Sequence, residues 1–194
     1  MNFNKILSIA LSSSFLWSQF VIEQAIATPI VTTNWKTLNQ NNYALKYPQN
    51  WELQQSEDTQ SGTVVSTNVR YQFAVLSQLE STRDKFRENV NLVIEDLNGK
   101  EVDLATYSRV AEDQLKSQMK NCKILEHQTT SKGSRQYDKI VWTWDYETLP
   151  LKVEQYAWLL NGKVYILTFT SEQSKFFQFQ EIGEKILDTF TFKQ

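Results

Sequence analysis

The feature that most constrains this chain is an Asn-Gly dipeptide, Asn161-Gly162, set between two apolar runs. Asn-Gly favours a two-residue type I′ turn, because both central positions of that turn require a positive φ. The dipeptide therefore predicts a β-hairpin across Val153–Thr170. Folding the chain at this turn predicts the cross-strand pairs Leu159 with Val164, Trp158 with Tyr165, Ala157 with Ile166 and Tyr156 with Leu167.

Both faces of this hairpin are apolar. Successive side chains of a strand point to opposite faces, so one face carries Tyr156, Trp158, Tyr165 and Leu167, and the other carries Ala157, Leu159, Val164 and Ile166. Apolar surface of this extent is not left in water on either side. The chain must therefore supply one covering layer for each face.

Two amphipathic helices are available as covering layers. Apolar residues recur at steps of three and four in each segment, which is the helical period. Asp103 is placed to cap the first helix and Ser174 to cap the second. The apolar positions are Leu104, Tyr107, Val110, Ala111, Leu115 and Met119 in the first helix, and Phe176, Phe179, Ile182, Ile186 and Phe190 in the second.

Further strands are predicted from alternation and from β-branched or aromatic content. They cover Tyr43–Tyr47, Phe73–Leu79, Asn89–Glu95, Ile124–Thr130 and Tyr137–Glu147. The simplest assembly of these elements is a mainly antiparallel central sheet with helices on both faces. The fold class expected is α/β, an α/β/α sandwich.

The N-terminus has the form of a signal peptide. Lys5 precedes a short apolar run that is diluted by serines, and Ala25-Ile26-Ala27 has the small-x-small form that a signal peptidase needs. We expect cleavage after Ala27, which leaves residues 28–194 as a single domain without a transmembrane segment. The mature protein is expected to be exported and monomeric, soluble or peripheral to the membrane.

The net charge and the number of cysteines each exclude one possibility. The formal net charge is −2, so nothing indicates a nucleic-acid partner. Cys122 is the only cysteine, which excludes an intramolecular disulfide despite the oxidising compartment that export implies. The fold must therefore be stabilised by its packed core.

Two blocks of sequence resemble the PsbP-like family. Tyr43-Ala-Leu-Lys-Tyr-Pro-Gln-Asn-Trp51 matches its opening pattern, and Asp84–Asp96 is similar to its central block. The helix, the Asn-Gly hairpin and the Phe-rich final helix follow in the family's order. The prototype is an extrinsic protein on the lumenal side of photosystem II, where it supports the oxygen-evolving centre.

The resemblance implies a location, a partner and a site. It implies a thylakoid-lumenal or periplasmic protein that docks on a membrane complex, with photosystem II as the candidate. Arg87, Glu88, Asn89 and Asn91 match the family's central block and are the predicted partner-binding residues. The loops Gln55–Asn68 and Thr82–Arg87 are candidate docking surfaces. No cofactor is evident from the residues; only the family resemblance raises calcium as a candidate, and the metal ligands are unknown.

Little in the sequence points to catalysis, and we expect no enzyme activity. His127 is the only histidine, and no carboxylate or nucleophile stands at a fixed spacing from it. Glu126 and His127 point to opposite faces of a strand, so they cannot chelate one ion without a bulge. The amides of Asn89 and Asn91 could recognise a ligand or satisfy neighbouring backbone groups.

Two hypotheses for function follow. The first is a non-catalytic binding or assembly protein that docks on a membrane photosynthetic complex. The alternative is a soluble periplasmic carrier of a ligand or of calcium, or an uncharacterised hydrolase with a pocket between sheet and helix. A pocket that joined His127 to at least two carboxylates would favour the alternative.

Overall fold

The computed structural model describes residues 34–56, 62–66 and 68–193. The predicted signal peptide and its cleavage site lie outside these residues, as does part of the loop Gln55–Asn68. Eleven strands and two helices are present in the described part of the chain. They are β1 (Trp35–Asn39), β2 (Tyr43–Pro48), β3 (Glu52–Gln55), β4 (Thr63–Ser66), β5 (Val69–Leu76), β6 (Asn89–Asp96), α1 (Leu104–Gln118), β7 (Lys123–Lys132), β8 (Arg135–Tyr146), β9 (Leu149–Leu160), β10 (Lys163–Glu172), α2 (Phe176–Thr189) and β11 (Thr191–Phe192).

The strands form one large antiparallel sheet and one small one. The large sheet has the order β3-β5-β6-β10-β9-β8-β7, and β4 also pairs with β5. The small sheet has the order β1-β2-β11. The predicted antiparallel central sheet is confirmed. The small sheet was not predicted, because β1 and β11 are too short to show a pattern of their own.

The predicted hairpin is confirmed at every pair. Strands β9 and β10 place Trp158 opposite Tyr165 and Ala157 opposite Ile166. Asn161 and Gly162 have φ values of 52° and 70°, the left-handed geometry that a type I′ turn requires. β9 begins at Leu149, four positions before the predicted Val153, because the chain turns tightly at Glu147 and pairs at once with β8.

Each apolar face of the hairpin is covered. Trp158 and Tyr165 belong to a buried cluster with Leu45 of the small sheet and Ile186 of α2. On the opposite face Ala157 packs with α1, and so does the row of β8 that contains Trp142. The α/β/α sandwich is therefore confirmed, with the small sheet sharing one layer with α2.

Of the two predicted helix caps, one is confirmed and one is wrong. Asp103 caps α1 as predicted, and its carboxylate accepts the amide N–H of Thr106 at 2.7 Å. The cap predicted at Ser174 is wrong. The N-cap of α2 is Lys175, which makes no side-chain cap hydrogen bond, because a turn that joins its amide to the carbonyl of Glu172 precedes the helix. Neither α1 nor α2 combines the length and apolarity that a membrane-crossing helix needs.

Helix α2 packs closely against the sheet at Gly183, and a substitution there tests this contact. A Cβ atom at this position would lie 2.5 Å from ring atoms of Phe169 on β10, and Phe169 is fully buried. Gly183→Ala is expected to lower the free energy of unfolding by about 2 kcal/mol, because overpacking outweighs the gain in helix propensity. Urea denaturation measures it. The exposed neighbour Glu181→Ala should change stability by less than about 0.5 kcal/mol, and equal behaviour of the two variants would contradict the close approach.

Candidate partner-binding site

The four predicted site residues lie at one end of the large sheet. Arg87 and Glu88 end the connection from Ser77 to Glu88 that joins β5 to β6, and Asn89 and Asn91 begin β6. This connection contains the predicted docking loop Thr82–Arg87 and lies against the start of α2. The four residues therefore share a region, and their side chains differ in how far they reach solvent.

Glu88 is an interior residue. Its side chain is fully buried, and its carboxylate accepts hydrogen bonds from Ser77 at 3.2 Å and Ser171 at 3.4 Å. Burial raises the pKa of Glu88 to about 7. The carboxyl group thus joins the first residue of the connection, Ser77, and β10 to the start of β6, and it does not reach the surface.

The two asparagines are also buried, and their amides bond to nearby groups. The amide of Asn89 donates to the carbonyl oxygen of Arg87 at 3.0 Å. The amide of Asn91 donates to the side-chain oxygen of Asn89 at 3.3 Å. Of the two readings open from the sequence, these contacts favour local satisfaction of the strand entry.

Arg87 reaches solvent. Its side chain is 26% exposed and forms an ion pair with Glu52 of β3 at 2.7 Å. Its Nε atom also donates to the carbonyl oxygen of Ser77. Of the four predicted residues, Arg87 is the one whose charged group a partner can meet directly.

Lys175 fastens the connection to α2. Its ammonium group lies 2.9 Å from Asp84, 3.2 Å from Glu80 and 3.6 Å from Glu172. Burial by itself would raise the pKa of Asp84, but hydrogen bonds from Lys175 and from the backbone amides of Glu80 and Phe86 outweigh it and hold that pKa below its ordinary value. The loop and the first turn of α2 therefore form one fixed surface.

An exposed aromatic ring stands on this fixed surface. Phe177 in the first turn of α2 is 93% exposed, and Leu79 of the connection is 36% exposed. The side-chain amide of the next residue, Gln178, donates to the carboxylate of Glu80. We call Leu79, Glu80, Phe177 and Gln178 the Phe177 surface. The sequence held one signal for it: Phe177 adjoins Phe176 but falls outside the apolar repeat of the helix.

His127 is placed differently from the prediction. Its Nε2 atom lies 3.0 Å and 3.1 Å from the two carboxylate oxygens of Asp138, and its Nδ1 atom contacts Glu112 of α1. The expectation that no carboxylate partners His127 is wrong, because α1 and β8 bring these groups from distant positions. Both ring nitrogens are thus in contact with carboxylates of the protein itself.

Metal ligands do not converge on His127 either. Glu112 and Asp138 contact opposite nitrogens of the ring, which leaves no shared centre for an ion. Within residues 34–56, 62–66 and 68–193, no group of three or more His, Cys, Asp or Glu side chains is arranged to hold a metal. Cys122 is partly buried, and burial raises the pKa of its thiol.

The fold can be compared with those of solved structures. Cyanobacterial PsbP from Synechocystis superposes with a TM-score of 0.56 at 9% identity, over 82% of this chain and 92% of its own. LpqN from Mycobacterium tuberculosis, which is involved in cell envelope biogenesis, gives 0.58 at 11% identity, over 83% and 91%. This chain has a PsbP-like fold. PA94 from Pseudomonas aeruginosa, a protein of unknown function, gives 0.51 at 14% identity, over 82% and 98%.

The similarity to these structures is a similarity of fold. By sequence, the chain matches no family model and no curated protein. At identities of 9% to 14%, shared architecture carries no information about the partner, because one fold supports many functions. Function has to be argued from the surfaces of this chain.

Burial of Glu88 makes the stability of the folded protein depend on pH. Its pKa rises from an ordinary 4.5 to about 7 on folding, so between these values the folded state holds a proton that the unfolded state has released. Stability is therefore full below pH 4.5 and falls as pH rises towards 7. A pKa difference of one equals about 1.4 kcal/mol, so the full loss is about 3 kcal/mol.

Glu88→Gln removes this loss, because the amide stays neutral. We expect the variant and the wild type to be equally stable near pH 4.5, and the variant to be more stable at pH 8. Urea unfolding across this range measures the difference. Glu95 is also buried and has its pKa raised to about 7, so only the difference between variant and wild type is informative. Glu101→Gln, at an exposed position, should follow the wild type at every pH; a parallel curve for Glu88→Gln would refute the assignment.

Proposed function

We propose that this protein is an exported, non-catalytic binding protein that docks on a membrane-attached protein complex through the Phe177 surface. The observation that carries the proposal is the 93% exposure of Phe177 on a turn that ion pairs hold in place. Phe side chains are normally among the most buried in a protein. An exposed ring on a fixed base has the form of an interface anchor.

Rigidity makes the ring effective as an anchor. Binding is opposed by the ordering of flexible loops and side chains. Lys175 already fixes the connection through Glu80 and Asp84, so little further ordering accompanies docking. Aromatic anchors of this kind fill an apolar pocket of the partner and carry a large share of the binding energy. The expected partner surface is a protein pocket lined by apolar side chains.

The predicted site residues take different parts in this proposal. Arg87 lies on the same connection as Leu79, and its partly exposed guanidinium, paired with Glu52, would lie at the edge of the interface. Glu88, Asn89 and Asn91 act from the interior, where their hydrogen bonds shape the strand entry. Substitution of Arg87 should then weaken docking mildly, because charges at an exposed rim contribute little.

A non-catalytic role agrees with the chemistry around His127. Asp138 and Glu112 contact the two ring nitrogens, and the groove that Arg135 helps to line does not include this histidine. A pocket that joined His127 to at least two carboxylates would have favoured the carrier or hydrolase alternative.

Photosystem II is the first complex to test. The sequence resemblance to PsbP-like proteins and the fold likeness to cyanobacterial PsbP support it. A thylakoid-lumenal or periplasmic location follows from the predicted signal peptide. The likeness to LpqN supports an envelope complex as the broader class of partner.

Phe177→Ala tests the docking surface. Tagged mature protein is incubated with gently solubilised membranes of its own source, washed at low and then high salt, and the retained subunits are identified by mass spectrometry. Loss of an anchoring aromatic costs about 2 kcal/mol or more, so the affinity should fall about 30-fold, and at bait concentrations below the Kd the recovery of the complex should fall with it. Retained photosystem II subunits would identify the partner.

The matched control is Leu125→Ala. Leu125 is 55% exposed but lies on β7, at the far edge of the large sheet from β3 and β5. This variant should recover the complex as the wild type does. Equal recovery with Phe177→Ala and wild type would reject the Phe177 surface, and recovery of the bait alone would reject docking on that membrane.

A further inference from the structure

The large sheet splits at the end opposite the Phe177 surface. The pairing of β8 with β9 ends at Asp138 and Ala157. β9 nevertheless runs on to Leu160 and stays paired with Lys163 of β10, while β8 stays paired with β7 as far as Arg135. The hairpins β7–β8 and β9–β10 therefore part at their tips.

A groove of about 540 Å³ lies in this split. Its size is within the range of about 300–1,000 Å³ that small-molecule sites occupy. Apolar and aromatic side chains of α1, β9 and β11 form one part of its wall, and polar side chains of the β7–β8 tip form the other. The lining residues are Leu104, Ser131, Ser134, Arg135, Gln136, Trp158, Leu159, Leu160 and Phe192.

The lining of the groove carries a positive charge and no negative one. Arg135 is the ionisable residue in its lining, and no carboxylate belongs to that lining. The guanidinium lies 5.1 Å from the ring centre of Phe192, which fixes it over the aromatic wall. Among the described residues Arg135 has no ion-pair partner, in contrast to Arg87 and Lys175. Its charge is therefore available to a ligand.

We propose that this groove binds a small amphipathic anion, an organic carboxylate or sulfonate with an apolar body. Arg135 would hold the acidic group, because a guanidinium donates two parallel hydrogen bonds to such an anion. The apolar body would pack on Leu160 and Phe192, which are both partly exposed in the groove. Ser134 and Gln136 supply further donors at the mouth.

This site is separate from the docking surface. Lys163 and Glu172 are the two ends of β10, with the groove at the first and the Phe177 surface at the second. Ten residues of strand span about 30 Å. Substitution at one end should leave binding at the other unchanged, so the two proposals can fail independently.

The test uses 1-anilinonaphthalene-8-sulfonate, an anion with an aromatic body, titrated into the folded mature protein and followed by its fluorescence. We expect saturable binding that Arg135→Gln weakens about tenfold, since a hydrogen bond to a charged group contributes about 1.5–3 kcal/mol. N-phenyl-1-naphthylamine, a neutral probe of similar shape, should bind wild type and Arg135→Gln alike. Urea unfolding confirms that the variant is folded.

Two controls locate the binding. Phe177→Ala removes an exposed ring that could attract the probe, and Arg83→Gln removes an exposed arginine of the β5–β6 connection; both should bind it as the wild type does. Amide chemical-shift changes in two-dimensional NMR should fall on Ser134–Gln136 and Trp158–Leu160. Absence of saturable binding, an unchanged affinity in Arg135→Gln, or shifts confined to other residues would overturn the proposal.

Discussion

The structure depends on the burial of a hairpin that is apolar on both faces. Trp158 and Tyr165 on one face and Ala157 and Ile166 on the other cannot be solvated together, so β9 and β10 must lie at the centre of a sheet and between two layers. α1 covers one face, and α2 with the small sheet covers the other. The order of layers follows from this single requirement.

Buried acidic side chains lie where neighbouring elements of the fold meet. Glu88, Glu95 and Asp138 are all nearly inaccessible to solvent, and each accepts hydrogen bonds from a neighbouring element. Glu95, for example, accepts from Tyr107 of α1 at 3.0 Å. Such groups stabilise the fold only while their bonds are complete. Because hydrogen bonds are directional, they fix the position of helices and loops on the sheet. Apolar contacts alone would define that position less closely.

The rigid centre leaves the two ends of the strands for binding. One end carries Phe177 on a turn held by Lys175, and the other carries Arg135 above a groove between parting hairpins. At the first end the feature that supports the proposed docking of a protein is the exposed ring of Phe177 on a turn held in place by ion pairs. The second suits a small molecule, because it is concave.

The sequence by itself determined the hairpin at Asn161-Gly162, the two apolar helices and hence the sandwich, because these features depend on residues close together in the chain. Tertiary structure decided which elements meet at a distance. It joined His127 to Glu112 and Asp138, moved the cap of α2 to Lys175, turned Glu88 inward and left Phe177 outside. No spacing in the sequence encodes such contacts, since they depend on how layers pack across the sheet.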